Sequence, residues 1–108
     1  MRVYIIPFHV QCKNDEVVPG SSSSAYVSCF SSGDDYTDAV NKALHSLLAD
    51  EIHPEEVLQP ILEMDSNNWS QYISEKWPGL VDRLYDQVEF DAAMENGDVV
   101  YGPFGLHS

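Results

Sequence analysis

The stretch from Tyr26 to Leu48 constrains the fold of this chain more than any other part of the sequence. Its first residues, YVSCFS, alternate in the way that suits a pleated β-strand, and Ser31, Ser32 and Gly33 then interrupt the pattern. Apolar residues then recur at intervals of three and four, which places them on one stripe of a helix. That stripe consists of Ala39, Val40, Ala43, Leu44, Leu47 and Leu48. The sequence therefore predicts a strand, an acidic turn and an amphipathic helix.

The residues before this stretch predict another strand and a long connection. Met1 to Cys12, MRVYIIPFHVQC, is dense in β-branched and aromatic residues, which indicates a strand buried on at least one face. Because Pro7 cannot donate a ladder hydrogen bond, this strand is expected at a sheet edge or with a bulge at Pro7. Lys13 to Ser24 contains a Pro-Gly pair and a run of serines, which is typical of a hairpin connection.

The second half of the chain predicts two strands and two further helices. The first helix is expected to end near Asp50 to His53, since Pro54 disfavours helical geometry in the residue before it. The later elements are a strand over Val57–Asp65, a helix capped by Ser66 that runs to Trp77, a helix from Leu80 to Val88 and a strand over Val99–Tyr101. Two alternatives stay open for Phe90 to Met94, which either extends the helix from Leu80 or pairs with the last strand.

These elements predict one domain over residues 1–108. Its class is α+β, with a small, mainly antiparallel sheet and two or three helices packed on one face. A chain of 108 residues, 44% of them hydrophobic, is long enough to bury a core without a disulfide or a metal ion.

The charge of the chain restricts its partners. It has 18 acidic and 5 basic residues and a formal charge of −13, which repels phosphate backbones and anionic membranes. We therefore expect no nucleic-acid and no membrane partner, and we expect attraction to a basic protein. The apolar run at the N-terminus is too short to span a bilayer. Cys12 and Cys29 show no CxxC spacing, so two free thiols and a cytoplasmic location are expected.

The motifs of catalysis and cofactor binding are missing from the sequence. The four histidines fall in different predicted elements, and none has the spacing of a zinc site. Neither a phosphate-cradling glycine loop nor a GxSxG nucleophile motif occurs. We expect no metal, no cofactor and no enzymatic activity. A small enzyme that uses Cys29 or a pair of carboxylates is the alternative from a different class.

Two groups of carboxylates and one tryptophan are the candidate partner-binding residues. One group crowds the start of the first helix, where acidic residues also stabilise the helix dipole. The other has spacings of four and three on the helix expected from Leu80, where like charges repel each other unless a basic partner neutralises them. Trp69 is an aromatic anchor of the kind that interfaces use, although its spacing also fits the core. The candidates are Asp34, Asp35, Asp38, Asp82, Asp86, Glu89 and Trp69.

The stretch that predicts the strand, turn and helix also resembles a known family. The run Cys29-Phe30-Ser31-Ser32-Gly33-Asp34-Asp35, followed by Ala39-Val40-Asn41-Lys42-Ala43-Leu44, is similar to the core of the HicB antitoxin family. The resemblance covers Tyr26 to Leu48. It implies a small ββαβ-type sheet and the neutralisation of a toxin RNase.

The sequence favours an acidic binding protein that neutralises a basic partner. The most concrete form is an antitoxin or immunity protein that blocks the active site of a cognate toxin, for which a nuclease is one candidate. Besides the small enzyme, an accessory subunit that forms a homodimer through its aromatic C-terminal half is an alternative.

Overall fold

The structure, a computed structural model, describes residues 1–13 and 22–106, and these residues form an antiparallel sheet with helices on both faces. In chain order the elements are β1 (Arg2–Lys13), β2 (Ser22–Ser32), α1 (Tyr36–Ala49), β3 (Ile52–Val57), β4 (Leu62–Asp65), α2 (Trp69–Lys76), α3 (Gln87–Asn96), β5 (Val100–Tyr101) and β6 (Gly105–Leu106). Short 3₁₀ turns lie at Ser66–Asn68 and Val81–Arg83. The α+β class and the antiparallel sheet are confirmed. Most of the expected hairpin connection, residues 14–21, lies outside the described residues.

A long central hairpin carries the other strands. β1 and β2 pair over their whole described length, from Val3 opposite Ser32 to Lys13 opposite Ser22. β3 and β4 both pair with the outer side of β1, whereas β5 and β6 both pair with β2. Each side of the hairpin is therefore flanked by one chain segment that pairs twice: β3 and β4 beside β1, and β5 and β6 beside β2.

Pro7 lies in an interior strand, so its expected position at a sheet edge is wrong. Its carbonyl accepts a hydrogen bond from Leu58 N at 2.8 Å, on the side of β1 that faces β3 and β4. The nitrogen and carbonyl of one strand residue point to the same side, so the missing N–H of Pro7 faces the same segment. That segment leaves the ladder between Val57 and Leu62. The interior strand therefore tolerates Pro7 because its neighbour is interrupted there.

The two sets of alternating side chains in β1 explain why helices cover both faces. Tyr4, Ile6, Phe8 and Val10 pack with the buried residues of α1, namely Ala39, Ala43 and Leu47. Val3 and Ile5 pack instead with α2 and α3. α2 and α3 share one face and α1 covers the other, whereas the sequence analysis expected the helices on one face only. Because β1 is apolar on both sides, neither face could stay in water without a large loss of hydrophobic stabilisation.

β3 is a strand that the sequence did not predict. Its residues, IHPEEV, contain a proline and two glutamates, which are rare inside a sheet. β3 lies at the outer edge of the sheet, where a strand can carry both proline and charge. The end of α1 at Ala49 agrees with the prediction, and Glu51, with φ 61°, turns the chain into β3.

The expected helix from Leu80 to Val88 is wrong. Val81 to Arg83 forms a 3₁₀ turn, Leu84 is extended with φ −104° and ψ 166°, and α3 begins at Gln87. Asp86 is the N-cap of α3, and a cap residue has non-helical geometry, which separates the two segments. Phe90 to Met94 lies inside α3, so this segment is helical, but it belongs to a new helix and does not extend one from Leu80.

Trp69 belongs to the core, so the prediction that it contacts a partner is wrong. Its side chain is fully buried and stacks on Phe90, with ring centroids 4.2 Å apart and an interplanar angle of 3°. Phe30 contacts it edge-on at 4.9 Å, and Trp69 Nε1 donates to the carbonyl of Tyr85 at 2.8 Å. A spacing of four along α2 places Trp69 and Ile73 on its inward face.

Trp77 has a different environment from Trp69. It is half-buried at the C-terminal end of α2, and its ring lies over Gly102, directly after β5. A Cβ atom at Gly102 would come within 2.8 Å of Trp77 Cη2, so glycine is the residue that allows this close approach. The contact connects α2 to the outer strand.

We expect Trp69→Ala to lower the free energy of unfolding by about 3–5 kcal/mol, because it removes a buried aromatic side chain and leaves a cavity. Urea denaturation followed by circular dichroism measures the change. Leu48→Ala, at an exposed apolar residue of α1, is the control and is expected to change it by no more than about 0.5 kcal/mol. Similar values for the two variants would contradict the core position of Trp69.

Candidate partner-binding surface

Three of the six candidate carboxylates lie at the start of α1, where they bond to one another's backbone. The side chain of Asp35 caps the helix by accepting a hydrogen bond from Asp38 N at 2.9 Å. Asp38 Oδ2 accepts one from Asp34 N at 3.3 Å and lies 4.0 Å from Lys42 Nζ. Capping and the helix dipole therefore account for this group of carboxylates.

The other three carboxylates lie near the start of α3, on two separate elements. Asp86 accepts a hydrogen bond from Glu89 N at 2.8 Å, and Glu89 Oε1 accepts one from Asp86 N at 3.2 Å. This reciprocal arrangement is a capping box. Asp82 lies in the 3₁₀ turn before it and is exposed. The helix face that was expected to carry all three residues does not exist, because the chain is extended at Leu84.

Exposed apolar side chains accompany the carboxylates near α3. Val88 is 77% exposed and Tyr85 is 46% exposed. We call the surface formed by Asp82, Tyr85, Asp86, Val88 and Glu89 the acidic patch. An apolar group surrounded by charged neighbours is a common arrangement at the centre of a protein interface. Sequence reasoning missed Tyr85 and Val88 because it assumed one continuous helix.

A cleft of about 350 Å³ lies next to the acidic patch. Its lining consists of Asp50, Arg83, Leu84, Tyr85, Val99, Val100 and Tyr101. The cleft follows β5, which is the outermost strand on its side of the sheet. Tyr85 belongs to both the cleft and the acidic patch, so the two form one continuous surface.

Tyr101 connects β5 to the end of α1 inside this cleft. Its hydroxyl donates a hydrogen bond to Asp50 Oδ2 at 2.7 Å, and Ser46 Oγ lies 2.7 Å from the oxygen of the Tyr101 hydroxyl. Burial raises the pKa of the Tyr101 hydroxyl above its ordinary value, and the neighbouring carboxylate of Asp50 raises it further. The hydroxyl therefore stays protonated at neutral pH and holds Asp50 in place at the cleft.

Cys29 lacks the properties of a nucleophile. Its side chain is fully buried on the sheet face that α1 covers, and this burial raises the pKa of the thiol to about 12. A reactive cysteine needs an accessible thiolate, and Cys29 has neither the access nor the charge at neutral pH. The structure contains no group of three or more His, Cys, Asp or Glu residues that could hold a metal ion among the residues it describes.

Within residues 1–13 and 22–106, no helix combines the length and the apolar character that crossing a bilayer needs.

Comparisons of the chain with protein-family models, with curated proteins and with solved structures give no match. Its function is therefore inferred from its own residues.

We expect Asp86→Ala to lower the free energy of unfolding by about 1 kcal/mol, because it removes the side-chain cap of α3. Asp82→Ala is the matched control, since Asp82 is an exposed carboxylate four residues away; its effect is expected to stay within about 0.5 kcal/mol. Urea denaturation of both variants measures the difference. Equal losses would show that the capping box does not stabilise the protein.

We expect the free energy of unfolding to fall as the pH rises from about 9 to about 12. The buried thiol of Cys29 titrates near 12 in the folded protein, whereas an unfolded cysteine titrates at about 8.5. The unfolded chain therefore loses this proton first, so high pH favours unfolding by at most about 1.4 kcal/mol per pH unit. Denaturation curves between about pH 7 and pH 11 measure the slope. Cys29→Ala is expected to flatten it, and an unchanged slope would contradict the assignment to Cys29.

Proposed function

We propose that this chain is an acidic binding protein that neutralises a basic partner, most concretely an antitoxin or immunity protein that covers the active site of a toxin. The observation that carries the proposal is the acidic patch, where Val88 is 77% exposed next to Asp86 and Glu89. Burying this exposed valine against a partner removes apolar surface from water and so contributes to binding.

The charge of the chain supports a basic partner. With a formal charge of −13, the protein steers positively charged molecules towards itself and increases their rate of association. A surface that binds nucleic acid is itself positively charged because it neutralises phosphates. Carboxylates such as Asp82 and Asp86 could occupy the positions of those phosphates, which is why a nuclease suits the proposal as the toxin.

The order of the first elements is compatible with the resemblance to HicB antitoxins. β1, β2, α1 and β3 follow one another in the ββαβ order that the resemblance implies. Order alone is an analogy, since one fold serves many functions. The acidic patch lies outside the resembling stretch, so its role is a separate part of the proposal.

Two observations weigh against the alternatives. An enzyme that uses Cys29 would need an accessible thiolate, but this thiol is buried and protonated. A homodimer built on the aromatic C-terminal half would lack exposed tryptophans, since Trp69 is fully buried and Trp77 is half-buried, and Tyr85 and Phe104 would be its exposed aromatic residues. Binding through the acidic patch requires neither.

The experiment uses the basic protein encoded by the neighbouring gene. We expect its purified form to bind this chain tightly, with an affinity that falls as the salt concentration rises from about 50 to about 500 mM. Co-expression of the two proteins is expected to relieve growth arrest. The proposal is wrong if no basic neighbour is encoded there, or if the two proteins neither bind nor show protection.

Two pairs of variants test the role of the acidic patch. Val88→Ala is expected to weaken binding about tenfold, and Asp82→Asn is expected to slow association and reduce the salt dependence. Leu48→Ala and Asp34→Asn are the controls, because they remove another exposed apolar group, which is 56% exposed, and an exposed carboxylate just before α1. Isothermal titration and surface binding kinetics measure both pairs. If the control variants weaken binding while the patch variants do not, the partner uses α1 instead.

A further inference from the structure

The outer strand β5 directs part of its backbone away from the sheet. Val100 pairs with Phe30 of β2, and the next ladder bond runs from Gly102 N to Ser28 O at 2.8 Å. In an antiparallel ladder, alternate residues point their N–H and C=O groups to opposite sides. Tyr101 therefore points its groups away from β2, towards the outer side of the sheet, and the same alternation, continued one residue before β5, directs those of Val99 to this side. A row of such groups is a template on which another extended chain can pair.

The cleft of about 350 Å³ described above lies on this outer side. Its lining combines Val99 to Tyr101 with Arg83 to Tyr85. An extended segment that paired with β5 would therefore also contact residues 83–85. Pro103 follows closely after β5, so the row of backbone groups is short and suits only a few residues of a partner.

The charges around the cleft indicate what such a segment carries. Asp50 lies in the lining, and the exposed residues Asp82, Asp86 and Asp98 are chain neighbours of lining residues. Arg83 is the opposing cation among the lining residues, and its side chain is exposed. Carboxylates outnumber the guanidinium at this edge, so lysine or arginine side chains would be attracted to it.

We propose that the β5 edge binds an extended, basic segment of the partner by adding it as a further strand to the sheet. This inference rests on the proposed function, since it specifies how the basic partner docks. Backbone hydrogen bonds to Val99 and Tyr101 provide the pairing, and Asp50 and Asp82 select positive side chains. The acidic patch extends the contact beyond the strand, with Tyr85 common to both.

The β5 edge suits this role better than the opposite edge of the sheet. On β3, Pro54 interrupts the row of backbone donors, and proline is a common protection of edges against pairing. A second copy of this chain is the competing occupant of the β5 edge. Two molecules of charge −13 repel each other, whereas a basic segment is attracted.

The probe is an acetylated and amidated hexapeptide of alternating lysine and valine, added at millimolar concentration to the full chain. We expect the amide hydrogens of Val99 and Tyr101 to exchange about tenfold more slowly with the peptide bound. The same peptide with N-methyl groups on alternate residues cannot form the ladder and is expected to give no protection. A peptide of alternating glutamate and valine tests the charge requirement and is also expected to give none.

Val99→Pro and Val99→Ala form the matched pair of variants. Proline removes an N–H that the chain's own sheet does not use, whereas alanine keeps it. We expect Val99→Pro to lose at least about tenfold in peptide affinity and Val99→Ala to stay within about threefold. Circular dichroism checks that both variants fold, and the N-methylated peptide tests the same ladder without changing the protein.

Several outcomes would overturn the inference. These are the absence of peptide binding, equal binding of the N-methylated peptide, and protection at residues other than Val99 and Tyr101. If these amides become protected when the protein concentration is raised without any peptide, the β5 edge binds a second copy of this chain instead. If the basic neighbour binds while these amides stay unprotected, the inference is wrong and the proposed function stands. If the peptide protects these amides while the basic neighbour does not bind at all, strand addition at the β5 edge is supported and the proposed function is contradicted.

Discussion

The apolar character of both sides of β1 is the constraint on which the rest of the structure depends. Its alternating residues fill two separate cores, one under α1 and one under α2 and α3. A strand of this kind must be interior and covered twice, which leaves polar and acidic residues for the outer strands and the exposed helix faces. The charge of −13 therefore coexists with a well-packed interior, because most of the carboxylates lie at helix starts, turns and edges.

Features encoded in a short run of sequence could be predicted, whereas features that depend on an adjacent strand of the sheet could not. The turn at Gly33 and the stripe of α1 are local patterns, and the structure confirms them except at Leu48, which is exposed. The interior position of Pro7 depends on a gap in the adjacent strand, which no local pattern contains. β3 was missed for a related reason, since Pro54 is compatible with a strand only at an edge.

The candidate site shows the same division. Asp86 and Glu89 were identified, but their spacing was attributed to one long helix instead of a capping box that begins a new one. Once the chain breaks at Leu84, Tyr85 and Val88 turn outward and become the apolar part of the acidic patch. Most candidate carboxylates thus have a structural role in the monomer, which leaves Asp82 and Val88 as the residues with the least structural reason to be there.

Because its ring lies over Gly102, the fluorescence of Trp77 can report on the outer strand of the sheet. Indole fluorescence depends on the surroundings of the ring, and this half-buried ring touches the backbone directly after β5. Trp69, in contrast, is fully buried, and its Nε1 donates to the carbonyl of Tyr85 at the cleft. Events along the outer strand should therefore change the emission of Trp77 directly and reach Trp69 only through Tyr85, without any added label.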